Sequence, residues 1–455
     1  MIVTTNPATG ETLHEYEPLN PSQIEAKLAM AGEAFEGWRT SSIDDRCGLL
    51  ARLGDLYEAK TEELARQATL EMGKTFASAK AEVEKCAKLF HHYAEHGAPM
   101  LDPLRWELAG GGTAEGRWLA QGPVLAVMPW NYPYWQVVRF LAPTILAGNV
   151  GVLKHASIVQ GVAAMMENMM AEADAPPGLF QNLCVSSDPI ADVIADDRIV
   201  AATVTGSEGA GRAVAEQCGK HLKKVVLELG GSDPFIVMPS ADMDAAVEDA
   251  VQARIQNTGQ SCICGKRMIV HAEIYDTFLD RFAAAMLEVT AGDPFAEHTD
   301  MGPLSSEEQR KTVLEQVAKA KEEGAQLLFG GEALDGPGAF IDAGVLVNVP
   351  LDSETADEEI FGPVAQVYRA DDIDDAIRIA NAIPFGLGSS VWTQDEDERE
   401  RFVRDIEAGM TAVNQMLASA PEAPFGGIKN SGHGRELAQF GLHEFMNLKT
   451  VMLPA

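Results

Sequence analysis

From residue 122 onward the chain alternates short β-branched runs with helix-like stretches, and this alternation narrows the fold more than any other feature. Runs near 124–128, 149–154, 181–186, 199–204 and 223–229 are followed by a second series near 234–238, 268–271, 364–370, 389–393 and 410–415. Strand-like segments spaced by helices predict parallel sheets covered on both faces, because a parallel pair needs a crossover long enough to hold a helix. Two α/β units are the simplest account, with a ligand pocket expected where they meet. Upstream, Ile24, Leu28, Ala31, Phe35 and Trp38 recur at alternating spacings of four and three, one apolar stripe in a helical region expected over residues 22–98. The runs Leu104 to Ala109 and Gly116 to Ala120 flank three glycines, Gly110, Gly111 and Gly112, and predict a β-hairpin. Its edges are expected to pair with another subunit.

A chain of 455 residues is long enough for several packing units and a buried site. Asp and Glu outnumber Lys and Arg by 68 to 35, a net charge of -33, which argues against nucleic acid and anionic membranes as partners. A small anionic substrate is not excluded, since one buried Arg can hold it locally. The opening residues MIVTTNPATG show no basic-then-apolar leader, and no run of 18 apolar residues occurs, so a cytoplasmic location is expected. The six cysteines, at 47, 86, 184, 218, 262 and 264, form neither a disulfide framework nor paired zinc spacing; reduced thiols and no metal are expected.

Three segments carry chemistry. Asn257-Thr258-Gly259-Gln260-Ser261-Cys262-Ile263-Cys264 places a thiol after a glycine-containing turn, where exposed backbone N–H groups can stabilise a thiolate and later an oxyanion. Taken alone, such a Cys is equally at home as a buried structural thiol. Glu228, between leucines and before Gly230 and Gly231, is expected at the end of a buried strand with a raised pKa, fit for a general base; a structural Glu–Arg pair is the alternative. Pro129-Trp130-Asn131-Tyr132-Pro133 is a proline-stiffened loop whose Asn131 amide can donate to an oxygen.

These segments, with LKHAS at 153–157, TGS at 205–207, ELGG at 228–231, GQSC at 259–262, EEIFGP at 358–363 and PFGGIKNSGHGRE at 424–436, resemble the aldehyde dehydrogenase superfamily along essentially the whole chain. The resemblance implies an α/β aldehyde dehydrogenase-like fold. Its parts would be a Rossmann-type dinucleotide-binding domain (1–103 and 122–229), an α/β catalytic domain (230–432) and a small β oligomerisation arm (104–121 and 433–455) of a homodimer or homotetramer. It implies that Cys262 attacks an aldehyde, Asn131 and the Cys262 N–H hold the oxyanion, hydride leaves to a nicotinamide, and Glu228 activates water against the thioester. A catalytically silent homologue would be expected to lose one of these three residues.

No G-x-G-x-x-G fingerprint follows the first strand. By resemblance, Gly206 and Ser207 open the helix facing the phosphates, Lys154 and Glu359 hold ribose hydroxyls, Phe361 packs near the nicotinamide, and Pro129, Trp130 and Leu229 complete the cofactor site. Ser157 stands where relatives that prefer NAD often carry a Glu, so NADP is expected, with NAD the alternative. Within the family the chain resembles most the bacterial succinate-semialdehyde dehydrogenases, whose arginine and serine grip a distal carboxylate. That resemblance assigns the grip to Arg139 and Ser419, with Trp135 as a wall; the alternative is a dehydrogenase for other aliphatic or aromatic aldehydes. Gln256 departs from relatives that have a second Arg there. Cys264 resembles the partner in a reversible disulfide with the nucleophile; an inert small hydrophobe is the competing reading.

Overall fold

Four capped helices fill the first hundred residues of the computed structural model, which describes residues 1–454. In α1 (Pro21–Trp38), Asn20 and Gln23 form a reciprocal capping box; in α2 (Ile43–Ala59), Ser42 and Asp45 do the same. Helix α3 (Thr61–Met72) stops at Gly73, whose φ of 88° ends the helical hydrogen bonding, and α4 (Phe76–His96) starts from the Thr75 cap. The stripe read from the sequence faces inward: Leu28, Ala31 and Trp38 are buried, with Ile24 and Phe35 packed beside them. Before α1 stands a hairpin, β1 (Ile2–Thr5) and β2 (Thr12–Tyr16), which the sequence reading passed over because β2 buries no residue fully.

The predicted glycine hairpin is β3 (Leu104–Glu107) and β4 (Thr113–Ala120), turning through Gly111 and Gly112 at φ of 86° and 84°. The first sheet then begins with β5 (Pro123–Met128), α5 (Trp135–Ala147), β6 (Val150–His155), α6 (Gln160–Glu172) and β7 (Phe180–Asn182). It continues through α7 (Ile190–Ala195), β8 (Ala201–Thr205), α8 (Glu208–Lys220) and β9 (Lys224–Glu228). The chain builds β5, β6 and β7 in one direction, then crosses to place β8 and β9 on the other side of β5, all parallel. That reversal opens a crevice at the carboxyl ends of β5 and β8. Asn131, Gly206 and Glu228 all sit at the carboxyl ends of strands of this sheet.

The second sheet starts at β10 (Asp233–Val237), α9 (Met243–Ile255) and β11 (Gly265–His271), and adds β12 (Gln326–Phe329), β13 (Gly344–Val347) and β14 (Val364–Ala370). Next come β15 (Phe385–Gly386), β16 (Ser390–Trp392), β17 (Ala412–Val413) and β18 (Ile428–Lys429). The order β12-β13-β14-β11-β10-β16-β17 is parallel except for the antiparallel edge strand β12, while β15 and β18 pair separately. Every strand predicted in this series is present, although 410–415 shrinks to two paired residues at the sheet edge. β12 and β13, four residues each, went unread.

Strand β19 (Gly432–His433) pairs antiparallel with Leu227 and Glu228, so the chain re-enters the first sheet at the end of β9, inside the boundary expected at 432. A side chain at Gly432 would strike the Leu227 carbonyl, so only glycine permits this approach. β20 (Met446–Leu453) then runs along the full length of β4, making a three-stranded sheet with β3. No helix among the described residues is long and apolar enough to cross a membrane.

Candidate active site

Between α9 and β11 three consecutive residues take left-handed backbone conformations: Asn257 (φ 53°), Thr258 (φ 57°) and Gly259 (φ 73°). For the two that are not glycine this costs about 1–3 kcal/mol each, so surrounding contacts must hold them. Arg254, fully buried, donates to the carbonyls of Gly259 and Gly362 at 2.8 Å each. Thr258 Oγ1 donates to Gly302 O, Gln260 Nε2 to Asn257 O, and Ser305 N to Gln260 Oε1. Past the turn, the buried Lys266 donates to the carbonyls of Ser261 (2.7 Å) and Cys262 (2.9 Å) and pairs with Glu359 at 3.1 Å. The result fixes Cys262 at a point where it lines two cavities at once.

Asn131 is brought to this thiol by a second clamp. Asn257 Nδ2 donates to Asn131 O at 2.8 Å and to Gln260 O at 3.0 Å, tying the proline-rich loop to the nucleophile turn. Asn131 Nδ2 donates one hydrogen to Gln260 O at 3.1 Å, and its second hydrogen is the one available to an oxyanion. Beneath the loop, Glu82 of α4 accepts the backbone N–H groups of Tyr134 and Trp135 at 2.8 and 2.9 Å and pairs with Lys74. Both members are essentially without solvent, and removing Lys74 would strand a buried carboxylate at a cost of about 3–5 kcal/mol.

Burial pushes the Cys262 thiol up to about 12; Arg139 and Lys266 pull it down, and Glu359 and Asp233 push it further up. Glu228, 2% exposed, is held well above the ordinary carboxylate range, first by burial and then by repulsion from Glu436, against the pull of Arg139 and Arg435. The raised pKa agrees with the sequence reading. Its position is less direct than that reading implied: the carboxyl packs against Gly426, lines neither cavity, and has no hydrogen-bond partner on either oxygen.

The first cavity, about 180 Å³, is lined by Cys262 and by the apolar Trp135, Ile263, Leu417 and Phe425. Arg139 and Ser419 line it, as expected. Arg139, however, is not a free cation. Its guanidinium is paired with the buried Glu436, donates to Gln136 Oε1 at 2.7 Å and lies 4.2 Å from the Phe425 ring centroid. Arg139 is thus already in a buried ion pair while it lines the cavity. Gln256, noted where relatives have a second Arg, also lines the cavity, and one residue there was missed by sequence reasoning: Lys85 of α4, which donates to Ser419 Oγ at 2.7 Å. Cys264 is fully buried, its thiol donating to Gln256 O at 3.8 Å, and it lines neither cavity; it and Cys262 are both free thiols.

The second cavity, about 280 Å³, gathers Pro129, Trp130, Gly206, Ser207, Leu229, Glu359 and Phe361, seven of the nine expected cofactor residues. Trp130 and Phe361 meet edge to face at 5.7 Å between centroids. Thr205 Oγ1 is buried without a partner on this wall, and a side-chain carbon at Gly206 would meet open space, so a phosphate can approach the backbone at the start of α8. This donor set fits a dinucleotide. The remaining two residues stand at the end of β6 outside the cavity: Lys154, half-buried with no carboxylate partner among the described residues, and Ser157, exposed. Two adjoining cavities sharing one thiol suit hydride transfer from a substrate held covalently on that thiol.

Comparison with known proteins agrees. The sequence profile described as the aldehyde dehydrogenase family matches residues 1–451. A Mycobacterium tuberculosis protein named succinate-semialdehyde dehydrogenase (NADP+) 1 is 49% identical over 454 residues, 99% of each chain. The Mycobacterium avium protein named succinate-semialdehyde dehydrogenase (NADP+) is 50% identical over 455 residues, 99% of this chain and 96% of the relative. Among solved structures, succinic semialdehyde dehydrogenase from Streptococcus pyogenes, in complex with NADP+, superposes with a TM-score of 0.98 at 36% identity, covering 100% of both chains.

Two outcomes are expected from this geometry. Gly259→Ala puts a β-carbon 2.3 Å from the Gly362 carbonyl carbon at a positive φ, and should lower unfolding stability by about 3 kcal/mol or more. A thermal midpoint equal to the parent's would show that the turn is not constrained. Carboxamidomethylation of Cys262 by iodoacetamide should rise about tenfold per pH unit from pH 7 to 10, as expected of a thiol pushed up to about 12. Peptide mapping that finds a plateau near pH 8 would contradict the burial argument.

Proposed function

This chain belongs to the aldehyde dehydrogenase family, and we propose that within it the protein oxidises succinate semialdehyde to succinate with NADP+. The observation that carries the substrate is the first cavity: mainly apolar, lined by Cys262, and carrying Lys85, Arg139 and Ser419, with Glu82 of the lining committed to Lys74. Such a cavity suits a short aldehyde with a carboxylate at its other end. Bound NADP+ supplies the acceptor for the aldehyde hydride.

The residues then divide the work. Cys262 gives its thiol proton to water in the cavity, the sulfur bonds to the carbonyl carbon as the C=O π bond opens, and Asn131 Nδ2 donates to the oxygen that becomes negative. Loss of hydride leaves a thioester on Cys262. Glu228 is stored protonated against Gly426; rotation of its side chain toward the cavity hydrates it, lowers its pKa and lets it take a proton from the water that releases the acid. Ser419 offers its hydroxyl to the distal carboxylate, and Arg139, balanced by Glu436, contributes field to the same end. Trp135 forms a wall. In the second cavity Glu359, steadied by Lys266, serves a ribose, with Gly206 and Ser207 at the phosphates, and Lys154, outside it at the end of β6, serves the other ribose. Lys154 and Ser157, with no acidic side chain between them, leave room for a 2′-phosphate, which favours NADP over NAD.

One observation favours a second reading. The ion pair of Arg139 with Glu436 reduces the charge Arg139 can offer, as a dehydrogenase for uncharged aldehydes would tolerate. We further infer a homodimer or homotetramer located in the cytoplasm. The sheet of β3, β4 and β20 carries exposed Leu104, Trp106 and Leu448 on one side, an apolar face suited to a second copy.

Steady-state kcat/KM with NADP+ should favour succinate semialdehyde over hexanal by on the order of 100-fold. Equal values would overturn the carboxylate reading and leave the second one. Ser157→Glu should raise the Kd for NADPH by on the order of 10-fold or more while affecting NADH less, measured by fluorescence titration. Parallel weakening of both cofactors would place Ser157 away from the 2′-phosphate.

A further inference from the structure

Within the substrate cavity the cations differ in what already holds them. Arg139 has Glu436, and Lys74, below the cavity, has Glu82. Lys85, projecting from α4 one turn after Glu82, has no carboxylate within ion-pair distance among the described residues. Its Nζ donates to Ser419 Oγ at 2.7 Å and sits over the Trp135 ring, 4.3 Å from its centroid, on the lining of the cavity. Burial and the neighbouring Arg139 guanidinium hold it down to about 8, an ammonium that gains by meeting an anion.

A second observation is independent of Lys85. Gln256, from the element that follows α9, lines the same cavity, and its Nε2 is buried with no acceptor. An orphaned buried donor, a cation without a counter-ion and a hydroxyl already bonded to that cation meet in one apolar chamber. Their shared missing partner is an anion with several acceptor oxygens.

We propose that Lys85 binds the distal carboxylate of the substrate directly, with Ser419 Oγ and Gln256 Nε2 as flanking donors, beside an Arg139 whose charge is shared with Glu436. This rests on the succinate semialdehyde reading and names the contact responsible for it. The departure at Gln256, where an arginine was looked for, then costs the cavity no charge, because α4 supplies the cation from the opposite wall.

The test is the ratio of kcat/KM for succinate semialdehyde to that for hexanal, on the parent, Lys85→Met, Lys85→Arg and Ser419→Ala, with inhibition by succinate as a second readout. Methionine keeps the unbranched stem, and circular dichroism reports whether the variant is folded. Lys85→Met should lower the ratio by on the order of 30-fold or more, chiefly through KM, and raise the inhibition constant of succinate in step. Lys85→Arg should recover most of the ratio, and Ser419→Ala should lose less than Lys85→Met. A folded Lys85→Met that keeps the parental ratio, or loses both substrates in proportion, overturns the proposal while the carboxylate reading stands. Should Lys85→Met fail to fold, Lys85→Arg and Ser419→Ala decide: a parental ratio and parental succinate inhibition in Ser419→Ala overturn it. A parent enzyme that shows no preference for succinate semialdehyde overturns the functional reading itself, and this proposal with it.

Discussion

The turn from Asn257 to Gly259 is the constraint on which the site depends. Three successive left-handed residues are unfavourable in isolation, and they persist because Arg254, Gln260, Thr258 and Lys266 convert the cost into fixed hydrogen bonds from buried donors. The same residues tie the turn to its surroundings. Asn257 holds the Asn131 loop, Arg254 reaches Gly362 beside Phe361, and Lys266 reaches Glu359. Oxyanion donor, nucleophile and cofactor wall are therefore set by one strained element. Preorganisation of this kind means that little rearrangement is needed when charge develops on the substrate.

Charge is distributed in opposite senses at two scales. The whole chain carries -33, which repels a small anion at long range, although screening in salt confines that repulsion to about 10 Å. Inside the site, Lys85, Arg139 and Lys266 face or underlie Cys262 and Ser419, and two of the three are balanced by buried carboxylates. An uncompensated cation in a low-dielectric chamber outweighs a diffuse surface field at contact distance. The buried acids also separate in role. Glu436 and Glu359 hold cations, whereas neither oxygen of Glu228 has a hydrogen-bond partner.

Much of this could be read from the sequence, and the pattern of what could not has physical causes. The strand and helix alternation, the α1 stripe and the glycine hairpin are local periodicities, and each is present. Cys262, Asn131 and Glu228 stood in motifs with a chemical reason for each residue type. Lys85 was invisible because its meaning lies in a contact with Ser419, 334 residues away. Arg139 was legible as a cavity residue, but its partner Glu436 is brought to it only by the return of β19 to the first sheet. β12 and β13 escaped because four-residue strands carry too little pattern to separate them from loops. Lys266 offered a signal that went unused: a lysine four residues beyond the nucleophile, following the glycine that opens β11.

The central claim is that one thiol, placed where two cavities meet, carries the substrate through both halves of the reaction while Glu228 serves only the second half. Intact-protein and peptide mass spectrometry of Glu228→Gln, mixed with succinate semialdehyde and NADP+ and quenched in acid, tests it most directly. The account predicts a succinyl adduct accumulating on the Cys262 peptide, with about one equivalent of NADPH formed per site before turnover stalls. A rapid NADPH signal with no adduct on Cys262, or an adduct on another cysteine, would contradict it.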